Sequence, residues 1–490
     1  MTHKLLTFLL FVTVFLASLY NSADLDLGWH LKYGEHFVNP PAGESRILKV
    51  NTFSSEMTNY KYPNTSWASD VILYIIYSKF GFLGISLLGA LIITLTFYFF
   101  AKAANLTLFQ KSLIFPLMIY LLAPQNAASF RAQSISFLFL GILFYLLLNP
   151  GRKKFDIGYL KFDIRHLFIP PLFFVWANSH GEYLTGLALF AVFTAVEIGI
   201  SIIKRTTRPL IHVTPLITVF ALSIIATLIN PFGINIYLES LRHFGNPLQK
   251  FVIEWLPNEI FSAHWWNLVA TGLVSVIGLI ILIKNKKQKT TYYPLPAITF
   301  LLLALSFWSR RYSWNFYYMS IFLLAPIILA IETKDRKINF VLCSIIVFIF
   351  FIFALSSKMP LSQFQNMTWD KYCLEYVSCS PQSIKFLKKN SLGQNLYTHY
   401  DWGGYIIWNN KEIKPSMDGR MALWRDESGY SAFENYYALQ QNQKDIDKSN
   451  YDTVLISPKK PLYLRLKELV SDGKWQLAYH DQNAAVFTRR

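Results

Sequence analysis

The first apolar run of the chain is followed at once by a short polar segment that carries two carboxylates and an imidazole. Asp24, Asp26 and His30 lie within seven residues, immediately after an apolar stretch at about 4–20. An ionised group that leaves water at a membrane boundary is costly, so such a cluster either lies in water or lines a polar cavity. In a cavity, a carboxylate can take a proton as a general base or hold a divalent cation through its oxygens.

The composition predicts the class of protein that carries this segment. Of the 490 residues, 53% are hydrophobic and only 15% are charged, whereas a soluble domain has about 25% charged residues. Apolar runs long enough, or nearly so, to cross about 30 Å of hydrocarbon lie at about 4–20, 82–101, 112–123, 132–148, 167–177, 183–203, 210–229, 266–283, 293–308, 313–331 and 338–356. The sequence therefore predicts a polytopic α-helical membrane protein with about 11 transmembrane helices.

The distribution of Lys and Arg between the loops predicts the orientation. Alternate loops are rich in these residues, and such loops face the cytoplasm. The basic positions are Lys102, Lys111, Arg152, Lys153, Lys154, Lys161, Arg165, Lys204, Arg205, Arg208, Lys284, Lys286, Lys287, Lys289, Lys334, Arg336 and Lys337. The N-terminus is therefore predicted inside and the chain after Ser356 outside. Because the +17 net charge is dispersed over these loops, it predicts no nucleic-acid partner.

A change in composition divides the chain into two predicted domains. A multi-span membrane core at 1–356 includes a first outer loop at 21–81, and an extracytoplasmic α/β domain follows at 357–490. Strands of that domain are predicted at 395–397, 453–456, 477–479 and 485–487, with helices at 383–389 and 462–470. Two points stay open: whether the first apolar run is a cleaved signal peptide, and whether Cys373 and Cys379 form a disulfide.

Ionisable residues are sorted across the predicted membrane. Many ionisable residues that lie outside the basic loops are at the outer ends of spans or in outer loops. They are Asp24, Asp26, His30, Arg131, His180, Glu182, Glu254, Arg310 and Arg311. The centres of the spans contain essentially no charged residues, whereas coupled transporters place carboxylates or broken-helix ion sites near the midplane. This pattern disfavours coupled transport and favours a reaction at the outer leaflet.

Several short segments resemble the GT-C superfamily of membrane glycosyltransferases. The segment 24–35, followed by Asn51-Thr-Phe-Ser and the helix from Trp67, resembles the first outer loop of that superfamily. Other segments that resemble bacterial members begin at Arg131, Trp176, Asn230, Glu254, Arg310, Tyr400 and Met417. The resemblance spans most of the chain. It implies a GT-C-like fold in the inner (cytoplasmic) membrane and inverting sugar transfer from a polyprenyl phosphate or diphosphate at the extracytoplasmic face.

The resemblance also implies a role for the first outer loop. In the superfamily an acidic residue of this loop assists the acceptor or binds a metal, so Asp24 or Asp26 is expected to be catalytic or to hold Mg²⁺ or Mn²⁺. As a base, the carboxylate would remove the proton of the acceptor hydroxyl while the donor phosphate departs. The residues by themselves also allow a simpler explanation, in which both carboxylates only cap a helix or solvate the loop.

Basic residues at the outer ends of spans are candidates for binding the donor phosphate. They are Arg310, Arg311, Arg131 and His180. A guanidinium presents a planar fork of donors to phosphate oxygens, which favours the arginines. The alternatives are interfacial anchoring for the arginines and a structural hydrogen bond for the histidine.

A further set of residues is predicted to contact the acceptor. It consists of Glu254, Trp255, Asp401, Trp402, Asp418 and Arg420. A carboxylate beside an aromatic ring suits the hydroxyls and the face of a sugar, while interfacial tryptophans and turn chemistry are the alternative explanations. The predicted partners are a lipid-linked sugar donor, a glycan, lipid or protein acceptor, and membrane lipid.

Two other classes of function are kept as alternatives. One is a lipid or polysaccharide transporter or flippase, against which the lack of midplane charges argues. The other is a non-catalytic subunit for assembly of an envelope polymer. Such a subunit would tolerate loss of Asp24 and Asp26, and this tolerance separates it from an enzyme.

Overall fold

A computed structural model describes residues 2–126, 130–149, 154–157, 160–203, 209–243, 245–284, 293–356, 364 and 366–490. Some basic residues on which the predicted orientation depends lie outside the described residues, namely Arg152, Lys153, Lys204, Arg205, Arg208, Lys286, Lys287 and Lys289. The predicted domain boundary at 357 also lies outside them. The orientation of the termini therefore stays a prediction.

The helices and strands are numbered here in chain order. The helices are α1 His3–Ala17, α2 Leu27–Val38, α3 Trp67–Ala103, α4 Leu108–Leu121, α5 Ala123–Asn126, α6 Ala132–Leu148, α7 Ile169–Ala177, α8 Tyr183–Ile203, α9 Pro209–Thr227, α10 Asn235–His243, α11 Ala263–Lys284, α12 Pro294–Trp308, α13 Ser313–Ile331, α14 Arg336–Ser356, α15 Trp369–Tyr372, α16 Pro381–Lys389, α17 Gly403–Asn409, α18 Ala432–Gln440 and α19 Pro461–Ser471. The strands are β1 Lys154–Ile157, β2 Leu160–Asp163, β3 Leu396–Thr398, β4 Thr453–Ile456, β5 Trp475–His480 and β6 Ala485–Arg489.

The chain forms two compact units. The first, called the helical unit, comprises 1–21, 86–233 and 253–360; the second, called the mixed unit, comprises 22–85, 234–252 and 361–490. The sequence groups the first outer loop with the membrane core, whereas the structure places it in one unit with the C-terminal segment. This grouping depends on contacts between residues far apart in the chain, which a reading of local composition does not report.

Apolar helices dominate the helical unit. Among the described residues, five helical stretches are long and apolar enough to cross a membrane: Trp67–Ala103, Tyr183–Ile203, Ala263–Lys284, Arg310–Ile331 and Arg336–Ser356. Shorter apolar helices lie at His3–Ala17, Leu108–Leu121, Ala132–Leu148, His166–Ala177, Val213–Thr227 and Pro294–Trp308. The structure thus has several membrane-spanning candidates, and the predicted count of about 11 spans stays a prediction.

Close packing in the helical unit uses a small residue where two backbones meet. A Cβ atom at Gly278 of α11 would overlap the backbone carbonyl of Leu323 in α13. Small residues allow such approaches between apolar helices, where packing rather than water drives association. On α4, the Gln110 side chain donates to the carbonyl of Ala325 at 2.8 Å, so this buried polar group is paired.

A four-stranded sheet organises the mixed unit, in the order β3-β4-β6-β5. Strand β3 is parallel to β4, whereas β4 and β5 are both antiparallel to β6. The strands lie where the apolar runs of the sequence predict them, and α16 and α19 match the two predicted helices. Val454, Phe487, Leu466 and Trp475 belong to one buried core of this unit.

The first outer loop packs tightly into this mixed unit. Helix α2 lies against α17, and a Cβ atom at Gly28 would overlap the backbone of Gly404. Buried Trp29 and Tyr33 of α2 share a small apolar cluster with Ile407 of α17. These contacts fix the start of α2, and therefore the position of the carboxylates that precede it.

A disulfide and a pair of hydrogen bonds constrain further segments of the mixed unit. Cys373 and Cys379 form a disulfide, which settles the alternative that the sequence leaves open. The hydroxyl of Tyr60 donates to both carboxylate oxygens of Glu239, at 3.0 and 3.1 Å. The second link holds α10 against the first outer loop.

Candidate functional site

The predicted site residues fall into two groups, one in each unit. Arg131, His180, Glu254, Trp255, Arg310 and Arg311 belong to the helical unit, whereas Asp24, Asp26, Asp401, Trp402, Asp418 and Arg420 belong to the mixed unit. Each group is therefore described within its own unit.

Two arginines and two glutamates of the helical unit form one ionic network, called the Arg–Glu network. Arg131 precedes α6 and donates from Nη1 to Glu254 Oε1 at 2.8 Å. The other Glu254 oxygen lies 3.7 Å from Arg311 Nη1, while Arg311 Nε lies 3.4 Å from Glu182 Oε1. The network brings together three predicted site residues and Glu182, which the sequence places at the outer end of a span.

The two glutamates of the network differ in exposure. The Glu182 side chain is 9% exposed and that of Glu254 is 42% exposed. Burial raises the pKa of Glu182 above its ordinary value, against the opposing effect of Arg311. Burial also acts to raise the pKa of Glu254, but Arg131 and Arg311 outweigh it and the pKa lies below the ordinary value. Glu254 is thus the more accessible carboxylate and Glu182 the more firmly held one.

Polar neighbours hold Glu182 in place. Gln133 Nε2 donates to Glu182 Oε1 at 2.6 Å, and Gln125 Nε2 donates to Gln133 Oε1 at 3.3 Å. A buried carboxylate needs such donors, because an unpaired buried charge is costly. The short chain of amides orients Glu182, which in turn orients Arg311.

The neighbouring arginines have different surroundings. The Arg311 guanidinium lies over the Trp255 ring, 5.0 Å from its centroid, which adds a cation–π contact. Arg310 is tied to the preceding loop instead, with its main-chain N–H on the Leu256 carbonyl at 2.9 Å and Nη2 on the Pro257 carbonyl at 3.4 Å. Arg311 therefore belongs to the charged network, and Arg310 anchors the turn that presents it.

His180 is oriented by a hydrogen-bond relay. Trp176 Nε1 donates to Ser136 Oγ at 2.8 Å, and Ser136 Oγ lies 2.8 Å from His180 Nδ1. The relay from the indole through the serine hydroxyl thereby fixes the orientation of the imidazole ring.

Asp24 lies at the buried start of the mixed unit's first segment. It is 5% exposed, and its Oδ1 accepts the main-chain N–H of Asp26 at 3.2 Å. Its main-chain carbonyl accepts a hydrogen bond from the Tyr372 hydroxyl. Asp26 is half-buried, directly precedes α2, and places its carboxylate where a Cβ at Gly419 would lie. Both carboxylates are thus held by the packed structure rather than solvated in an open loop.

A buried His–Asp–Asn arrangement lies one helical turn after Asp26. His30 Nδ1 lies 2.5 Å from Asp70 Oδ1, and Asn64 donates to Asp70 Oδ2 at 2.7 Å. Burial acts to lower the pKa of His30, but the carboxylates of Asp70, Asp24 and Asp26 raise it above the ordinary value. The Asp70 carboxylate, held by Asn64, thus fixes the His30 ring one helical turn after Asp26.

Asp418 and Arg420 form a buried pair in the mixed unit. Arg420 Nε and Nη2 donate to the two Asp418 oxygens, each at 2.7 Å, and Nη2 also donates to Asn51 Oδ1 at 3.0 Å. The guanidinium lies 5.3–6.0 Å from the ring centroids of Trp29, Tyr33, Phe53, Tyr62 and Trp424. The side chains of Arg420 and Asp418 are 1% and 0% exposed, which favours a structural role over the predicted contact with an acceptor.

Replacing Arg420 by methionine is expected to lower the free energy of unfolding by about 3–5 kcal/mol, because Asp418 would stay buried without its partner. The double variant Asp418→Asn/Arg420→Met removes both charges and is expected to regain most of that loss. Thermal unfolding of the purified protein measures both changes. The control is Arg425→Met, at a pair with side chains 39% and 55% exposed, expected to cost about 1 kcal/mol or less. Equal unfolding midpoints for Arg420→Met and wild type would contradict the structural role.

Asp401 and Trp402 lie in a turn that follows β3. Asp401 has a 41% exposed side chain, and its main-chain N–H donates to His399 Nδ1 at 3.3 Å. Burial lowers the pKa of His399 to about 3, so that imidazole is neutral. Trp402 is buried and stacks on the same imidazole, 4.9 Å between centroids. Of Asp401 and Trp402, which are both predicted to contact the acceptor, Asp401 is the more accessible.

The predicted metal site can be compared with the side chains that could coordinate a metal ion. Within those ranges, no group of three or more His, Cys, Asp or Glu side chains is arranged to hold a metal ion. Asp24 and Asp26 supply two carboxylates, one of which already accepts a main-chain N–H. Mg²⁺ is commonly held by one or two carboxylates together with waters and substrate phosphate oxygens, so the predicted metal site at Asp24 and Asp26 stays a prediction, and no step of the proposed reaction is routed through a metal.

Several residues that position the sites escape prediction from sequence. Asp70 and Gln133 join the sites through side-chain contacts across 40 and 49 residues of chain. Asp70 lies inside the first outer loop, at the start of α3, and no sequence pattern there indicates its contact with His30. Ser136 and Gln133 lie one helical turn apart on α6, but polar residues in an apolar run do not reveal their partners.

The chain matches no known protein family and no curated protein. Solved structures are similar in fold. The oligosaccharyltransferase of Archaeoglobus fulgidus, solved with a tethered acceptor peptide that contains an NVT sequon, aligns over 92% of this chain and 69% of its own, at 10% identity and a TM-score of 0.51. ArnT from Cupriavidus metallidurans, solved with undecaprenyl phosphate, aligns over 99% and 96%, at 11% identity and a TM-score of 0.49. The GT-C resemblance is confirmed at the level of the fold: this chain shares the fold of that oligosaccharyltransferase.

Proposed function

We propose that the chain is an integral-membrane glycosyltransferase, a hexosyl- or pentosyltransferase of the GT-C type. It transfers a sugar from a polyprenyl-phosphate-linked donor to an acceptor at the extracytoplasmic face of the inner membrane. The GT-C fold and the apolar helices support the class of enzyme. Because a fold alone does not define a reaction, the proposed roles depend on the two groups of residues.

The observation that carries the proposal is the Arg–Glu network. Two guanidiniums are balanced there by one buried and one half-exposed carboxylate. A lipid phosphate that exchanges with the accessible Glu254 keeps Arg131 and Arg311 paired, while Glu182 continues to orient Arg311. Phosphate suits this exchange because it accepts charge-assisted hydrogen bonds from two arginines at once.

The proposed step is an inverting displacement with Asp24 as the base. The acceptor hydroxyl oxygen forms a bond to the anomeric carbon, while the bond from that carbon to the phosphate oxygen breaks. Asp24 takes the hydroxyl proton, and the electron pair of the broken bond leaves with the lipid phosphate. Asp26 and His30 are assigned the electrostatic support of Asp24, since both lie within its charged neighbourhood.

The remaining predicted contacts are assigned to the two substrates. Arg310 and His180 are proposed to contact the donor phosphate, with Arg131 and Arg311 as its main partners. Trp255 and Asp401 are proposed to contact the acceptor, as is Glu254 once phosphate has replaced it. The Trp255 ring already carries the Arg311 guanidinium on one face, so a sugar would stack on the other face.

Binding of polyprenyl phosphate tests the phosphate site without requiring the acceptor. The purified protein is incubated with polyprenyl phosphate or with the matching polyprenol, which has the same tail and no phosphate. Native mass spectrometry then measures the bound fraction of each lipid. The proposal predicts that the protein retains polyprenyl phosphate at least about tenfold more than polyprenol, a factor that corresponds to about 1.4 kcal/mol. Equal retention of the two lipids contradicts it.

A further inference from the structure

The mixed unit contains a polar cleft that the proposed reaction does not use. Its volume is about 760 Å³, within the range of small-molecule sites. Segments around Ser55 and Glu56, Gln394–Leu396 and Tyr430–Tyr451 line it. None of the residues assigned above to base, phosphate or acceptor contacts is among its lining residues. The cleft is therefore a separate candidate site within this unit.

Two tyrosines hold a carboxylate at the wall of this cleft. The hydroxyl of Tyr430 donates to Glu56 Oε2 at 2.9 Å, and that of Tyr451 donates to Glu56 Oε1 at 2.8 Å. All three side chains are half-buried and line the cleft. A carboxylate fixed by two neutral donors keeps further lone pairs available for hydroxyl groups, and the tyrosine rings supply flat apolar surface beside it.

Side-chain amides supply much of the remaining lining. Gln394, Asn395, Asn435 and Asn450 all contribute to it, and Asn435 accepts from Lys444 Nζ at 2.9 Å. An amide offers both an acceptor and two donors. It can therefore pair with adjacent hydroxyls of one ligand, each of which also donates and accepts. Two of the fourteen lining residues, Leu396 and Leu439, are aliphatic, and the rings of Tyr430 and Tyr451 add further apolar surface, so the cleft offers a ligand both polar groups and flat apolar surface.

The charges of the cleft balance. Glu56 and Asp445 face Lys444 and Lys448 among the lining residues, which gives a formal net charge of zero. An anionic or cationic ligand would therefore gain no net attraction, whereas a neutral ligand rich in hydroxyls fits both the amides and the fixed carboxylate. We propose that this cleft binds a neutral oligosaccharide and holds the glycan acceptor. Its role in holding the acceptor depends on the proposed function, whereas the binding itself does not.

Binding to immobilised oligosaccharides tests this inference. The full-length protein in detergent is applied to an array of defined neutral oligosaccharides built from hexoses, N-acetylhexosamines, 6-deoxyhexoses and pentoses. The double variant Asn435→Ala/Asn450→Ala removes two amides of the cleft, and Glu56→Gln removes the fixed charge at constant size. The matched control is Gln482→Ala, an exposed amide outside the cleft.

We expect the wild-type protein to bind at least one class of oligosaccharide. Both cleft variants should weaken that affinity about tenfold or more, as loss of a hydrogen bond to a buried or charged partner predicts. The affinity of the control variant should stay within about twofold of wild type. Absence of binding to the whole array, or equal affinity of the cleft variants and wild type, would overturn the inference. Retention of polyprenyl phosphate is measured on the same preparations and should not change. This readout separates failure of the cleft from failure of the proposed transferase, and it also shows that the variants are folded.

Discussion

Replacing Asp24 by asparagine should lower the rate of sugar transfer by about 10²–10⁴-fold, the usual contribution of a general base. Asparagine has nearly the same size and retains an oxygen that can accept the Asp26 main-chain N–H, now at 3.2 Å. It cannot take the acceptor proton. The loss is therefore expected in kcat, measured with labelled donor at saturating acceptor, with little change in the unfolding midpoint.

The controls for this prediction separate the base from its surroundings. Asp26→Asn is expected to reduce the rate less than Asp24→Asn does, because Asp26 is assigned electrostatic support. Asp472→Asn, an exposed carboxylate after α19, should leave the rate close to that of wild type. If Asp24→Asn transfers sugar at the wild-type rate, Asp24 is not the base and its burial is a matter of structure.

Replacing Arg311 by alanine should raise the KM for the lipid-linked donor by about 10–150-fold, which corresponds to the roughly 1.5–3 kcal/mol of a hydrogen bond to a charged group. The same change leaves the buried Glu182 without its guanidinium partner, so part of the loss could reflect damage to folding. The double variant Arg311→Ala/Glu182→Gln removes that buried charge. Donor-concentration series for both variants measure the effect.

The double variant separates the effect of Arg311 on stability from its effect on donor binding. The unfolding midpoint is expected to recover in the double variant, because the neutral glutamine that replaces Glu182 has no buried charge to pair. The donor KM should stay high, because the phosphate still lacks Arg311. Arg336→Ala, at an exposed arginine that begins α14, is the matched control and should leave KM unchanged. Recovery of the donor KM in the double variant would show that Arg311 only neutralises Glu182.

Much of the architecture follows from local sequence patterns. Apolar runs of span length locate the helices of the helical unit. Short apolar runs locate β4 and β6, whose residues are mostly buried. The union of the first outer loop with the C-terminal segment is different. It depends on the approach of Gly28 to Gly404, which lie near opposite ends of the chain, and no local pattern encodes such a pair.

The candidate sites show the same limit. Residue type and location at span ends single out Arg131, Glu254 and Arg311, and the structure joins these three in one network. The burial of Arg420 escapes prediction, because Asp-Gly-Arg in a polar segment is typical of an exposed turn. Its aromatic neighbours come from the first outer loop as well as from the C-terminal segment, so only the folded chain reveals a structural pair.

The central claim is that the protein transfers a sugar from a polyprenyl-phosphate donor. The most direct test incubates the purified protein with a panel of polyprenyl-phosphate donors that carry different labelled sugars. We expect transfer from at least one donor, inversion at the anomeric carbon, and release of polyprenyl phosphate in equal amount. Asp24→Asn, at matched folding, should form the product about 10²–10⁴-fold more slowly. No transfer from any donor, or full activity of both Asp24→Asn and Asp26→Asn, would contradict the account and favour a transporter or an assembly subunit.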